Sequence, residues 1–224
     1  MTFSIVGRCA RTGQFGVAVT SSSPAVAARC AWARAKVGAV STQNVTDPSL
    51  GNRILDLLES GRTAQEALNE VVETAHKIEF RQLSVIDAEG STAAYSGERT
   101  LGTHTVVQGV ETQAAGNLLS SVEVPVKMVE AFEADPAAPL AARLIAGLQA
   151  GVAAGGEEGP VQSAGIFIVD EAPYALTDLR VDWKDNPIDE LESIWKVWEP
   201  QANDYYVRSI DPDAAPSYGV PGDL

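Results

Sequence analysis

The chain is poor in the residues that announce chemistry most directly. It has two cysteines, Cys9 and Cys30, and two histidines, His76 and His104. Two cysteines do not make a disulfide scaffold, and neither stands at metal-ligand spacing. The histidines are far apart in sequence, and a metal site or a Ser-His-Asp triad is possible but unsupported. His76 falls near an expected helix C-terminus, where a cation is favoured. No metal site is expected. Positive charge is also scarce: 16 Lys and Arg stand against 30 Asp and Glu, a net charge of −14. Nucleic acids and anionic membranes select basic faces, and no basic patch is present, so neither is an expected partner. No apolar run approaches the roughly 20 residues of a membrane helix. Met1 to Val6 lacks the basic stretch and long apolar run of a signal peptide, so a cytoplasmic location with reduced cysteines is expected. No glycine-rich loop ends in Gly-Lys-Ser/Thr. The glycines between Gly147 and Gly156 lack the preceding strand of a dinucleotide fingerprint. No cofactor is expected.

What is present is an ordinary globular composition, 45% hydrophobic and 21% charged over 224 residues. That length favours one domain over residues 1–224, with 209–224 as an extended, proline-bearing tail. Phe3 to Val6 and Phe15 to Val19 read as a hairpin across Arg11-Thr12-Gly13-Gln14. Ala25 to Arg34 and Val40 to Val45 read as a second strand pair, although the first is ambiguous with helix. Asp47-Pro48 opens a helix carrying Ile54, Leu55, Leu57 and Leu58, which Gly61 stops. Thr63 with Glu66 forms a capping box for a second helix. Strands at Arg81 to Asp87 and Ser91 to Ser96 follow, then a hairpin at Val106-Val107 and Thr112 to Ala115. Val122 to Ala134 and Leu140 to Ala153 are helical, and Gly155 to Gly159 is a surface loop. Ser163 to Val169 and Ala175 to Val181 are the last strands, before a helix from Asn186-Pro187 through Trp195. Strands in hairpins and helices in pairs disfavour a doubly wound parallel sheet. They predict an α+β fold, a four-layer α/β/β/α sandwich of two antiparallel sheets.

The remaining chemical signal is at the start of the chain. Thr2 follows Met1, and methionine before a small residue is normally removed by an aminopeptidase. Thr2 would then carry a free α-amine with an unperturbed pKa of about 8, a base beside its own nucleophile. This hydroxyl at the head of a strand in an α/β/β/α sandwich resembles the N-terminal nucleophile (Ntn) hydrolases. The resemblance is carried by Thr2-Phe3-Ser4-Ile5-Val6, Thr12-Gly13 and Phe15-Gly16-Val17-Ala18-Val19-Thr20-Ser21. More closely, the chain resembles the domain of unknown function 1028, a bacterial and archaeal family in that superfamily. The matching stretches are Ala31 to Gln43, Asn44 to Gly51, Arg81-Gln82-Leu83, Gly116-Asn117-Leu118-Leu119, Asp178 to Asp182 and Ala215 to Asp223. They span nearly the whole chain.

The resemblance implies Thr2 as nucleophile. It also implies two departures from the proteasome-type pattern. Thr20-Ser21-Ser22 stands where that pattern has an Asp after the second strand, which leaves Ser22 as a substrate contact. Arg34, with Lys36 beside it, stands near the place of a Lys about thirty residues after the nucleophile. Arg stays charged and holds an anion rather than acting as a base. Asn117 is the candidate oxyanion donor, because related acylases use an asparagine side chain there. Gln43 and Asn44 end a strand near the same sheet edge and can donate similarly. Arg180 and Asp182 sit on the last strand, where an Arg-Asp pair is more often a structural ion pair, but Arg34 or Arg180 can anchor a substrate carboxylate bidentately. The expected activity is an amidohydrolase acting on a small amide-bearing molecule, without metal or organic cofactor, in a homodimer. Two rivals keep the fold and drop catalysis. One is an anionic-ligand binding protein using Arg34 and Arg180. The other is a structural or envelope-associated module with an apolar interface at Trp195 and Trp198.

Overall fold

A computed structural model describes residues 1–222. The chain runs β1 (Thr2–Arg8), β2 (Phe15–Ser21), α1 (Ala27–Cys30), β3 (Ala31–Arg34) and β4 (Gly38–Asn44). It continues through α2 (Ser49–Glu59), α3 (Ala64–Thr74), β5 (Arg81–Asp87), β6 (Thr92–Ser96), β7 (Thr105–Gly109) and β8 (Thr112–Asn117). The last elements are α4 (Glu123–Glu133), α5 (Leu140–Ala153), β9 (Ser163–Val169), β10 (Ala175–Val181) and α6 (Pro187–Ile210). Ten strands form two antiparallel sheets, one in the order β10-β9-β2-β1-β8-β7 and one in the order β3-β4-β5-β6. The fold is the α+β, four-layer α/β/β/α sandwich anticipated from the hairpins and helix pairs.

Strand alternation builds the layers. Phe3, Ile5 and Ala18 point from the six-stranded sheet into a core with Met128 and Phe132 of α4 and Leu144 and Leu148 of α5. Val40, Leu83 and Val85 point from the four-stranded sheet onto Ile54, Leu55 and Leu58 of α2 and Leu68 and Val71 of α3. The alternate residues, among them Val6, Val17, Val19, Ala39 and Ile86, face each other between the sheets. The capping box of α3 is formed as read, with the Thr63 N–H donating to Glu66 at 3.0 Å. Asp47 precedes α2 and accepts from the Ser49 N–H at 3.0 Å, fixing the entry of that helix.

Four local expectations need correction. Ala25 to Arg34 is not one strand. Ala25 takes a left-handed backbone (φ 51°), Ala27–Cys30 makes one helical turn, and only Ala31–Arg34 pairs. The Arg29 guanidinium holds the turn by donating to the Ala25 carbonyl at 2.9 Å. The last helix does not stop near Trp195 but runs on through Pro200 to Ile210. The tail is therefore helical at its start. It then makes a short turn at Pro212–Ala214, and Tyr218 folds back under Arg208, whose guanidinium lies 3.9 Å from the ring centroid. Asp223 and Leu224 of the expected tail lie outside the described residues. The segment from Gly155 to Gly159 is not wholly surface, because Gly156 and Glu157 are buried. Finally, Trp195 packs in the core beside α5, and the Trp198 indole N–H donates to Thr177 at 3.0 Å. Neither forms the open apolar face that a structural module would need.

Candidate active site

Four strands of the larger sheet end in one polar row. Thr2 pairs with Asn117 of β8, and the register Phe3↔Thr20 sets Thr2 opposite Ser21 of β2. Ser21 in turn pairs with Ser163 of β9. Directly opposed residues of antiparallel strands share a face. That face is the one turned to the second sheet, since the Ser41 hydroxyl of β4 donates to Ser4 at 2.8 Å. The smaller sheet contributes a matching row, Gln43, Gln82 and Ser96.

These rows are bonded to one another. The Gln43 side-chain N–H donates to Gln82 Oε1 at 2.8 Å, and Asn117 donates to the same oxygen at 3.2 Å. Gln82 passes its own donors to Ser96 Oγ and the Gly116 carbonyl, both at 3.1 Å. An asparagine amide has two N–H donors. Asn117 therefore keeps one after serving Gln82, and its Oδ1 has no partner. Leu118, directly after it, is held in the left-handed region (φ 50°), a conformation that costs a bulky residue of the order of 1 kcal/mol or more. The loop is pinned there by the Leu118 N–H on the Leu101 carbonyl at 3.0 Å and the Leu119 N–H on the Thr103 carbonyl at 2.9 Å.

Thr2 is buried at the head of β1. Its hydroxyl donates to the Met1 carbonyl at 2.5 Å and lies 3.2 Å from Ser21 Oγ. The Ser21 hydroxyl donates to that same carbonyl. Two hydroxyls thus converge on one acyl oxygen.

Beside them is Glu157, only 5% exposed, with neither carboxylate oxygen in a hydrogen bond. Burial pushes its pKa up to about 7, against the pull of the Met1 amine and of Ser22. The loop that carries Glu157 is stitched to the one after Asn117. The Ser120 N–H donates to the Gly156 carbonyl and the Glu158 N–H to the Leu118 carbonyl, each at 3.0 Å. Cys30 is also buried, and burial raises its thiol to about 11, so it stays protonated.

Thr2, Asn117, Gln43 and Ser22 are therefore brought together, and the other sequence candidates are not. Arg34 sits at the far end of the β3–β4 hairpin, opposite Gly38, in ion pairs with Asp56 at 2.8 Å and Glu59 at 2.6 Å. Asn44 has left-handed backbone (φ 72°) and donates to the Phe80 carbonyl at 2.6 Å, while its Oδ1 accepts from the Leu101 N–H at 3.2 Å. It clamps a loop. Arg180 lies on edge strand β10 and grips Asp178, not Asp182, through contacts of 2.7 and 2.9 Å. Asp182 is exposed past the end of β10, and its backbone carbonyl accepts from the Ala25 N–H at 2.9 Å. Both guanidiniums proposed as anion anchors are already engaged with carboxylates.

Sequence reasoning missed Ser21, Gln82 and Glu157 as site residues. Ser21 and Gln82 had a signal, namely a polar residue on the inward parity of a strand. Glu157 had none, because a glycine-rich stretch with two acids reads as solvent-facing. Among the described residues no group of three or more His, Cys, Asp or Glu is placed to hold a metal, and no helix is long and apolar enough to cross a membrane.

The crystal structure of a DUF1028 protein from Silicibacter pomeroyi is similar at 28% identity, with a TM-score of 0.84 over 91% of this chain and 89% of that one. Anbu (ancestral beta-subunit) from Yersinia bercovieri aligns over 92% of this chain and 97% of its own, but at 12% identity and a TM-score of 0.41. No curated protein matches. The model of the family of unknown function DUF1028 matches residues 2–191, most of the chain, and the protein is a member of that family.

Proposed function

We propose that this protein is an N-terminal-nucleophile amidohydrolase that cleaves the C–N bond of an amide in a small molecule. The observation that carries the reading is the Thr2 hydroxyl, buried at a strand head and already directed, with Ser21, at an acyl oxygen. Removal of Met1 would leave Thr2 with an α-amine able to accept the hydroxyl proton near neutral pH. Thr2 Oγ then forms a bond to the substrate carbonyl carbon. The developing oxyanion accepts from the unused N–H of Asn117 and from backbone amides. Collapse breaks the C–N bond, and the proton held by the Thr2 amine passes to the departing nitrogen. Water attacks the resulting ester, restores the hydroxyl and releases the carboxylic acid. No metal or organic cofactor takes part in this sequence.

The buried amide side chains of Gln43, Gln82 and Asn117 at this end of the inter-sheet layer support a small polar substrate, held by amides rather than by an arginine clamp. Cytoplasmic action as a homodimer completes the proposal, and sedimentation of the purified protein reads its oligomeric state. The test is a screen of small amides, imides and ureido acids against protein whose intact mass shows whether Met1 has gone. Thr2→Ala should abolish turnover with an unchanged unfolding midpoint. Full activity in that variant, or turnover by protein that wholly retains Met1, overturns the mechanism.

A further inference from the structure

Glu157 is the least explained group in the molecule. A carboxylate buried to this degree is normally paired or hydrogen-bonded, because leaving it bare costs several times an ordinary hydrogen bond. Neither oxygen has a well-formed hydrogen bond, although the Ser22 N–H and hydroxyl approach and favour the charged form, and neither has a cationic partner. It lines a cavity of about 320 Å³ together with Gln162, Asp185 and Asn186, and no cationic side chain is among the lining residues. The neighbouring Lys184 is already tied to Glu190 at 2.5 Å. Val152, Pro160 and Val161 line the rest of it, so the cavity is a largely apolar hollow with two carboxylates and no counter-charge from any side chain.

Met1 shows how such a hollow can be filled. Its carbonyl lies between the hydroxyls of Thr2 and Ser21. Its amine is near enough to Glu157 to oppose the effect of burial on the carboxylate. Its terminal methyl would lie 3.1 Å from the first side-chain atom of any residue replacing Gly159, so glycine there leaves room for it. Met1 thus lies in the site as an aminoacyl group, with its carbonyl beside the Thr2 and Ser21 hydroxyls, its side chain over Gly159, and its amine within electrostatic reach of Glu157 but not bonded to it.

We propose that this cavity is an ammonium subsite, and that the substrates are amides of amino acids, with a protonated amine one carbon from the scissile carbonyl held by Glu157. The proposal rests on Thr2 as the nucleophile. It also resolves a conflict within that reading. The Thr2 amine must be unprotonated to accept the hydroxyl proton, and a carboxylate paired to it would hold it protonated. An ammonium on the substrate gives Glu157 its partner and leaves the base free. A neutral acyl group would bury the bare carboxylate and gain nothing from it.

The experiment measures binding apart from turnover. Thr2→Ala protein, released from a cleavable fusion so that it begins at residue 2, is titrated calorimetrically with glycinamide and with N-acetylglycinamide. The two share the amide and differ in the charged amine. Glycinamide should bind about tenfold to a hundredfold more tightly, the span of a charge-assisted hydrogen bond in a buried site. Glu157→Gln should bring the ratio close to one. A ratio near one with Glu157 intact, no binding of glycinamide, or a ratio that survives Glu157→Gln overturns the subsite. Kinetics with Thr2 intact separate the two claims. Equal kcat/KM for both amides would remove the subsite and leave the nucleophile standing. Discrimination in binding with no hydrolysis of either would do the reverse.

Discussion

The two sides of each sheet treat buried polar groups differently. On the helix-facing sides polar side chains are few, and the strand threonines are locally satisfied. The Thr20 hydroxyl donates to the Ser163 carbonyl at 2.8 Å, Thr112 to the Val6 carbonyl at 2.7 Å, and Thr42 to the Asp47 carbonyl at 3.2 Å. Between the sheets several polar groups are left incomplete, at the Thr2 end and, at Gln113 and Thr92, toward the other end. Apart from the Nε atoms of Arg8, Arg81 and Arg208, the unpartnered buried atoms among the described residues belong to Gln43, Ser84, Thr92, Gln113, Asn117 and Glu157. The first five are on strand faces turned to the opposite sheet, and Glu157 closes the end of that layer beside Thr2. Packing on the helix side stabilises the fold. The inter-sheet layer gives up part of that stability and leaves donors and acceptors available.

The sharpest way to break this contrast is to exchange the expected effects of the two sides. Phe132→Ala removes a fully buried ring from the helix-facing core and should destabilise by about 3–5 kcal/mol in urea titrations, with turnover per folded molecule unchanged. Asn117→Ala should do the opposite. Gln82 Oε1 keeps the Gln43 donor at 2.8 Å, so stability should fall by only about 1 kcal/mol. The rate of amide hydrolysis should fall roughly 10²–10³-fold through loss of an oxyanion donor. Equal losses of stability in both variants would dissolve the distinction.

Glu157 sharpens it through pH. Its carboxyl titrates at about 7 in the folded chain, above the ordinary carboxylate range, so the folded state holds a proton that the unfolded chain releases. Its contribution is intact below about pH 4 and is lost as pH rises toward 7, by roughly 3 kcal/mol. Glu157→Gln should flatten that segment of the stability curve and make the protein more stable than the parent at pH 8. An unchanged slope would mean that the carboxylate finds a partner when ionised. The smallest effect belongs to Arg34→Met. Its partners Asp56 and Glu59 are 68% and 60% exposed, so the change should cost under about 1 kcal/mol and leave turnover alone. A large loss of activity would restore Arg34 to the site.

The same contrast separates what could be read in advance. The β5–β6 hairpin, the capping box at Thr63 and the bounds of β9 and β10 were legible because their determinants lie within a few residues: alternation, a turn, a cap. Ala25 to Arg34 was misread because alanine runs fit either structure, and a left-handed Ala25 set by its surroundings decided the matter. Thr2, Asn117 and Ser22 came to notice as candidates through resemblance, Gln43 by its position at a strand end. Arg34, Arg180 and Asp182 were drawn in by residue type, which says nothing of partners already within reach.

The sequence by itself determined the α+β sandwich, through hairpin spacing and paired amphipathic helices, and it marked Thr2 as the candidate nucleophile. Only the tertiary structure decided which side chains surround it. β1 meets β8 across more than a hundred residues, β4 and β5 carry Gln43 and Gln82 over from another sheet, and a loop of glycines buries Glu157. Propensity and periodicity act over one or two turns of chain. The identity of a neighbour brought from far away is settled by the packing of whole layers, and the chemistry of this site is made of such neighbours.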